Sequence, residues 1–188
     1  ARAMFEKLGL PPGELFMEFS EALKQLRLLP EALEHAREAV SILESHGVEL
    51  MAAEARLSVA SLALLSNRLD EAVVVFRSIS KENVQLHTEG VFKIGKVFKL
   101  TEQYEKLLSH LAQFKAENPR SPRVGEALYW IGWVYRQQGF PERARDVYWS
   151  AISEYGNDPT ILSVEDLFSA ISKLYRGDDE QAELCTRL

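Results

Sequence analysis

Apolar residues recur along this chain at steps of three and four, the spacing of one face of an α-helix. Between Glu14 and Leu26 they fall at Leu15, Phe16, Phe19, Leu23 and Leu26. Pro30 then opens a second helix, where its missing N–H costs nothing. Ala32, Ala36, Ala39, Val40 and Leu43 share one side of that helix, and Gly47 stops it. The next two segments, AAEARLSVASLALLS and EAVVVFRSI, are apolar around most of their circumference, which predicts helices buried between neighbours. Val73, Val74 and Val75 would also suit a buried strand over 72–76. Helical spacing continues to Ile79, and Asn67–Arg68–Leu69–Asp70 reads as a helix turn and cap, so helix is favoured. The period persists through VFKIGKVFK, through TEQYEKLLSHLAQFKAEN with Thr101 as its cap, and through VGEALYWIGWVYRQQ and PERARDVYWSAISEY. A last stripe of Val164, Leu167, Phe168, Ile171, Leu174 and Tyr175 follows Ser163–Val–Glu–Asp166, which has the residue types of a capping box. The expected fold class is all-α.

The helices also repeat. Twelve residues separate Gly132 from Ala144, and the same spacing joins Ser20 to Ala32, Ala60 to Ala72, Gly95 to Leu107 and Ala170 to Ala182. The first member is small each time, and the second is Ala in all but one. Two antiparallel helices approach closely only where neither carries a large side chain, so a small pair at fixed spacing marks a repeated helix pair. Successive second members lie 40, 35, 37 and 38 residues apart. The expected organisation is a single array over 1–188, with repeats at about 13–46, 48–82, 84–119, 122–159 and 163–188. Residues 1–12, with ARAMFEKL ahead of Pro11–Pro12, would end a preceding helix. Both ends break off inside a repeat, and the last stripe is too apolar to face water. The chain is therefore expected to be a piece of a longer protein, or to have its ends covered by a partner.

The clearest copy, Val124 to Pro159, resembles a tetratricopeptide repeat (TPR), whose pattern is W-x2-L-G-x2-Y, then A-x3-F, then P. Leu128 takes the Trp slot, Ile131 the Leu slot, Gly132 the Gly slot and Tyr135 the Tyr slot, while Ala144 and Tyr148 take the Ala and Phe slots. Gly156 stands in the closing Pro slot, and the proline arrives later, at Pro159. The resemblance implies a right-handed α-solenoid of antiparallel helix pairs, a TPR-like superhelix of about 4–5 repeats. It also implies a protein–protein interaction scaffold that holds a partner segment in its concave groove. The string ALYWIGWVYRQQG is further similar to repeats of bacterial envelope TPR proteins, such as the Tol–Pal-associated coordinator and the outer-membrane assembly lipoprotein.

Composition narrows the function classes. At 46% hydrophobic and 27% charged, the chain can bury a core. A net charge of −6 argues against nucleic acid as a partner, since phosphate binding needs concentrated Lys and Arg. The single Cys185 permits no internal disulfide. The longest near-apolar run, Leu57 to Leu65, is too short for a transmembrane segment. No signal peptide is visible, although the chain begins at Ala1 rather than Met. Nothing in the sequence selects between cytoplasm and periplasm. His35, His46, His87 and His110 are scattered and read as exposed helix-surface residues, none paired with His or Cys at metal-ligand spacing. Neither a catalytic constellation nor a phosphate-cradling loop is present, so no enzyme activity, metal or cofactor is expected.

In proteins resembling this one, the first helix of each pair lines the groove. With the Gly slot as position eight, groove positions are two, five, nine and twelve. They hold Glu14, Met17, Glu21 and Lys24; Glu54, Leu57, Ser61 and Leu64; Glu89, Phe92, Lys96 and Lys99; Glu126, Tyr129, Trp133 and Arg136; and Val164, Leu167, Ile171 and Leu174. The candidate partner-binding residues are Phe92, Lys93, Lys96, Lys99, Tyr129, Trp130, Trp133 and Arg136, which place aromatic rings beside cations. A protein or peptide partner with acidic and apolar residues would suit them. The competing reading packs Tyr129, Trp130 and Trp133 against neighbouring helices. The two-carboxylate clamp of some family members is absent, its slots holding Met17 and Glu21, and Tyr129 and Trp133. The alternative function is a self-assembling homo-oligomer, or an intramolecular regulatory or structural module of a larger protein.

Overall fold

A computed structural model of the chain describes residues 12–175. The described residues form nine α-helices and no strand: α1 (Gly13–Gln25), α2 (Leu29–Ser45), α3 (Glu49–Leu65), α4 (Leu69–Arg77), α5 (Val84–Leu100), α6 (Tyr104–Glu117), α7 (Val124–Gln137), α8 (Pro141–Tyr155) and α9 (Val164–Leu174). Ala72–Phe76, where three valines left a strand open, lies inside α4. The chain divides into two compact units, Ala1–Val97 and Phe98–Leu188, with the division inside α5.

Five of the helix connections are one and the same turn. The second residue past the helix end is left-handed: Arg27 (φ 64°), Gly47 (69°), Asn67 (59°), Glu102 (55°) and Gly139 (80°). Its N–H donates to the carbonyl three residues back, as Arg27 does to Lys24. The next N–H donates to the carbonyl five back: Leu28 to Leu23, Val48 to Leu43, Arg68 to Ala63, Gln103 to Phe98 and Phe140 to Tyr135, at 2.8–3.0 Å. This is the Schellman arrangement, which satisfies carbonyls that a helix end otherwise leaves bare. The residue making the longer bond is also the N-cap of the next helix, and in no case does its side chain cap. Its carbonyl accepts the N–H of Ala32, Ala52, Ala72, Leu107 or Ala144, each 0% exposed. The twelve-residue spacing thus has a backbone origin, because one turn geometry recurs at a fixed offset from both helices.

In the N-terminal unit, α1 packs on α2, α2 on α3, and α3 on α4, with α1 also reaching α3. Phe16, Ala39, Leu43, Ala52 and Ala55 form one buried cluster, and Ala32, Leu33, Ala36, Val59 and Leu62 a second. Helix α3 is buried around most of its circumference, at Ala52, Ala53, Ala55, Val59, Ala60, Leu62 and Ala63. The alanines let backbones approach, and Ser20 uses that proximity: its hydroxyl donates 2.8 Å to the Ala32 carbonyl, fully inside the core.

In the C-terminal unit, α7 packs against α6, α8 and α9, and α8 against α9. The residues between α8 and α9 fold back onto the start of α7. Leu162 donates its N–H to the Pro122 carbonyl at 2.7 Å, and a Cβ on Gly125 would lie 2.2 Å from the Leu162 carbonyl oxygen. Gly132 makes a second close approach. A Cβ there would meet the Tyr148 ring at 2.2 Å from Cε1 and 2.5 Å from Cζ. The small slot on α7 therefore clears room for the aromatic of α8 rather than for Ala144.

Two expected caps are replaced. Helix α6 begins at Tyr104 with Gln103 as its N-cap, while the Thr101 hydroxyl accepts from the Gln103 side chain at 2.8 Å and belongs to the turn. Ser163 is left-handed (φ 64°) and makes no side-chain cap bond, so the capping box does not form. The stripe on α9 also faces inward: Leu167 and Ile171 are 0% exposed and pack as core, not groove. Ala182, Cys185 and all but the last residue of the expected preceding helix over 1–12 lie outside the described residues.

Candidate functional site

Of the candidate groove residues, Phe92, Lys93 and Lys96 belong to the N-terminal unit, on α5. Phe92 is 1% exposed, so its ring offers no surface to a partner. Lys93 lies 3.7 Å from Glu89, one helical turn earlier, and Lys96 is exposed. The other five fall in the C-terminal unit, and there the structure brings rings and cations together.

Lys99, in the last turn of α5, holds its ammonium 4.1 Å from the Trp133 ring centroid and 5.4 Å from that of Trp130. At such distances the ring quadrupole attracts the cation, by about 0.5–1 kcal/mol at an exposed site. Tyr104, in the first turn of α6, meets Trp133 edge-on with centroids 6.0 Å apart. Trp130 is buried, as the packing reading expected for that ring, while Trp133 and Tyr129 are only half-buried. The α7 helix thus turns Trp130 inward and keeps Tyr129, Trp133 and Arg136 on a partly open face, as steps of four and three require.

Tyr148 of α8 completes the site from below. Its ring passes under Gly132 and stacks on Tyr129 with centroids 6.3 Å apart and an interplanar angle of 25°. Burial pushes its hydroxyl up to about 12, against a smaller opposing effect of the Arg136 guanidinium nearby. No hydrogen bond of ordinary geometry reaches the hydroxyl, although the Arg136 guanidinium lies close enough to act on it. Tyr104 and Tyr148 were absent from the sequence-based site. The only signal for Tyr148 was the choice of Tyr over Phe in its slot; for Tyr104, its place at the head of the following helix.

Three of the four histidines take packing roles rather than open ones. His35 lies between Phe16 and Phe19 with ring centroids 5.7 and 5.9 Å away, His110 meets Phe98 edge-on, and the His87 Nδ1 lies 3.0 Å from the Ile79 carbonyl. Only His46 is exposed. Among the described residues there is no group of His, Cys, Asp or Glu placed to hold a metal ion, and no helix long and apolar enough to cross a membrane.

No protein-family profile matches the chain, and no curated protein matches it. Solved structures do. A putative kinesin light chain with TPR-like repeats from Podosopora anserina is similar at 13% identity and TM-score 0.62, over 94% of this chain and 93% of that one. BtubC from P. vanneervenii is similar at 18% identity and TM-score 0.67, over 98% and 82%. YrrB, described as a TPR protein with an unusual peptide-binding site, is similar at 17% identity and TM-score 0.50, over 87% and 76%. No such likeness singles out the bacterial envelope proteins whose repeat the string ALYWIGWVYRQQG resembles. At these identities the likeness concerns the fold alone: this chain is an all-α, TPR-like array of antiparallel helix pairs.

Proposed function

We propose that the chain is a protein-interaction scaffold that takes a partner segment against the α7 face bearing Tyr129, Trp133 and Arg136. The observation that carries this reading is Trp133. A large ring is kept half open at the surface, with the Lys99 ammonium over it and Tyr104 at its edge. Trp, Tyr and Arg are the residues through which interfaces gain most of their energy. The TPR-like fold supports the class, since a peptide-binding site is named for the similar YrrB. The partner is a peptide segment with acidic and apolar residues, which complements a ring-and-cation surface. Trp133→Ala and Lys99→Glu should each remove binding to peptides selected on the full chain, with the helical circular dichroism spectrum unchanged. Retained binding in both variants overturns the reading.

Self-association is the second reading, favoured by α1 of the N-terminal unit. Phe19 on α1, and Leu26 and Leu28 in the turn that follows it, are 46%, 69% and 43% exposed. Light scattering across a concentration series distinguishes the two: a monomer that binds peptide supports the first, and oligomers that ignore peptide support the second.

A further inference from the structure

A surface lysine gains little from an ion pair, because a long side chain must give up its rotamer freedom and solvent screens the charge. Lys99 has already given up part of that freedom. Its ammonium is set 4.1 Å from the Trp133 ring centroid and 5.4 Å from that of Trp130. The seat is itself fixed, since Trp130 is buried and Tyr104 meets the edge of Trp133. The indole faces attract the cation through their quadrupole and carry no net charge, so they place the ammonium without neutralising it. Lys99 and Trp133 are both only half-buried, which leaves the pair open to an approaching segment. The cations of α7 are engaged differently: Arg123 lies 2.7 Å from Glu126, and the Arg136 guanidinium acts on the Tyr148 hydroxyl.

We infer that Lys99 is the residue that selects an acidic partner: its ammonium, seated on Trp133, takes one Asp or Glu side-chain carboxylate of the segment bound at the α7 face. The inference rests on the groove reading above. An ammonium has three N–H donors, and a ring face engages it from one side only, so a carboxylate can bind from the other. The resulting hydrogen bond is charge-assisted and stronger than a neutral one. Because the ammonium is placed beforehand, less ordering cost is left to be met on binding. An apolar side chain at the same place would cover the charge without answering it, and a Lys or Arg would meet a like charge. Lys96, exposed on α5 and held by no ring among the described residues, has the same charge without the seat. Trp133 therefore anchors the segment and Lys99 discriminates among segments.

The test uses peptides selected from a phage-displayed random library on the full chain, then synthesised with amidated C-termini. Selected peptides should share an acidic residue, and replacing it with its amide should weaken binding to the wild-type chain roughly tenfold or more, the worth of a hydrogen bond to a charged group. In Lys99→Met, which keeps an unbranched apolar stem over the rings and a good helix former in α5, the same replacement should matter little. Lys99→Arg, whose guanidinium also stacks on aromatic faces, should keep the discrimination, and so should Lys96→Met. Circular dichroism checks that each variant retains its helices. A full loss on replacement in Lys99→Met, or its disappearance in Lys96→Met, places the carboxylate elsewhere and overturns the inference. If Lys99→Met binds even the amide peptide far more weakly than wild type does, Lys99 acts by seating Trp133, which also overturns it. So do binders that lack acid, even when Trp133→Ala abolishes them and the groove reading stands. Binders indifferent to Trp133→Ala, or no binders at all, overturn the groove reading and this inference with it.

Discussion

A Cβ placed on Gly132 would sit 2.2 Å from Cε1 of Tyr148. No real contact is that short, so Gly132→Ala must push a fully buried ring against α8. The helix gains about 1 kcal/mol of propensity from Ala, but overpacking a filled core costs roughly 1–3 kcal/mol. The variant should be destabilised on balance in urea melts. Adding Tyr148→Leu should recover part of the loss, a non-additivity expected of residues in contact.

Removing only the hydroxyl has the opposite expectation. Tyr148→Phe deletes an unsatisfied polar atom and leaves the packing intact, so stability should stay level or rise by about 1 kcal/mol at neutral pH. The same midpoint measurement that detects the loss in Gly132→Ala detects this gain.

Alkaline pH should unfold the chain through its buried phenols. Burial raises both Tyr148 and Tyr155 from 10.0 to about 12. The unfolded tyrosines lose their protons first, so the folded state binds more protons between those values and stability falls as pH rises. It is intact below pH 10 and declines through about pH 12, by roughly 1–3 kcal/mol for the fully buried Tyr148. Urea midpoints on either side of that window measure the slope, which Tyr148→Phe should reduce and Tyr148→Phe with Tyr155→Phe should largely abolish.

The left-handed turn residues make a matched series. Gly139 has nothing within 4 Å of a built Cβ, so Gly139→Ala tests conformation alone and should cost about 1 kcal/mol. Arg27, Asn67 and Glu102 occupy the same conformation with side chains, and changing each to Gly should stabilise by a few tenths to about 1 kcal/mol. Thermal melts of the single variants check both signs.

Ser20→Ala should cost about 1 kcal/mol through loss of the buried bond to the Ala32 carbonyl, without leaving a donor unpaired. Ser20→Val should cost more, because it adds bulk where α1 meets α2. The two melting temperatures rank these effects.

The helices were legible because the 3.6-residue period survives in local sequence, and even the three valines of α4 could not override it. The twelve-residue spacing was legible too, but its cause was not. It looked like one small residue touching another, whereas at Gly132 the contact is with Tyr148, and the fixed offset comes from backbone turns. Caps were less legible: Thr101 and Ser163 have the right chemistry, yet the Schellman bonds already choose the N-cap after α5, and Ser163, with its left-handed backbone, makes no side-chain cap bond. Periodicity places Tyr129, Trp133 and Arg136 on one face of α7, but the depth of Phe92 and Trp130 depends on neighbouring helices that a single segment does not encode. An orphan hydroxyl is invisible in sequence for the same reason.

The recurring turn asks little of the residues that form it. Glycine, arginine, asparagine and glutamate all serve at its left-handed position, and no N-cap side chain contributes a bond there. Joints specified by backbone geometry leave the outward side chains free to diverge. The chain keeps a helix-pair fold in common with solved structures with which it shares only 13–18% identity, as joints of this kind allow.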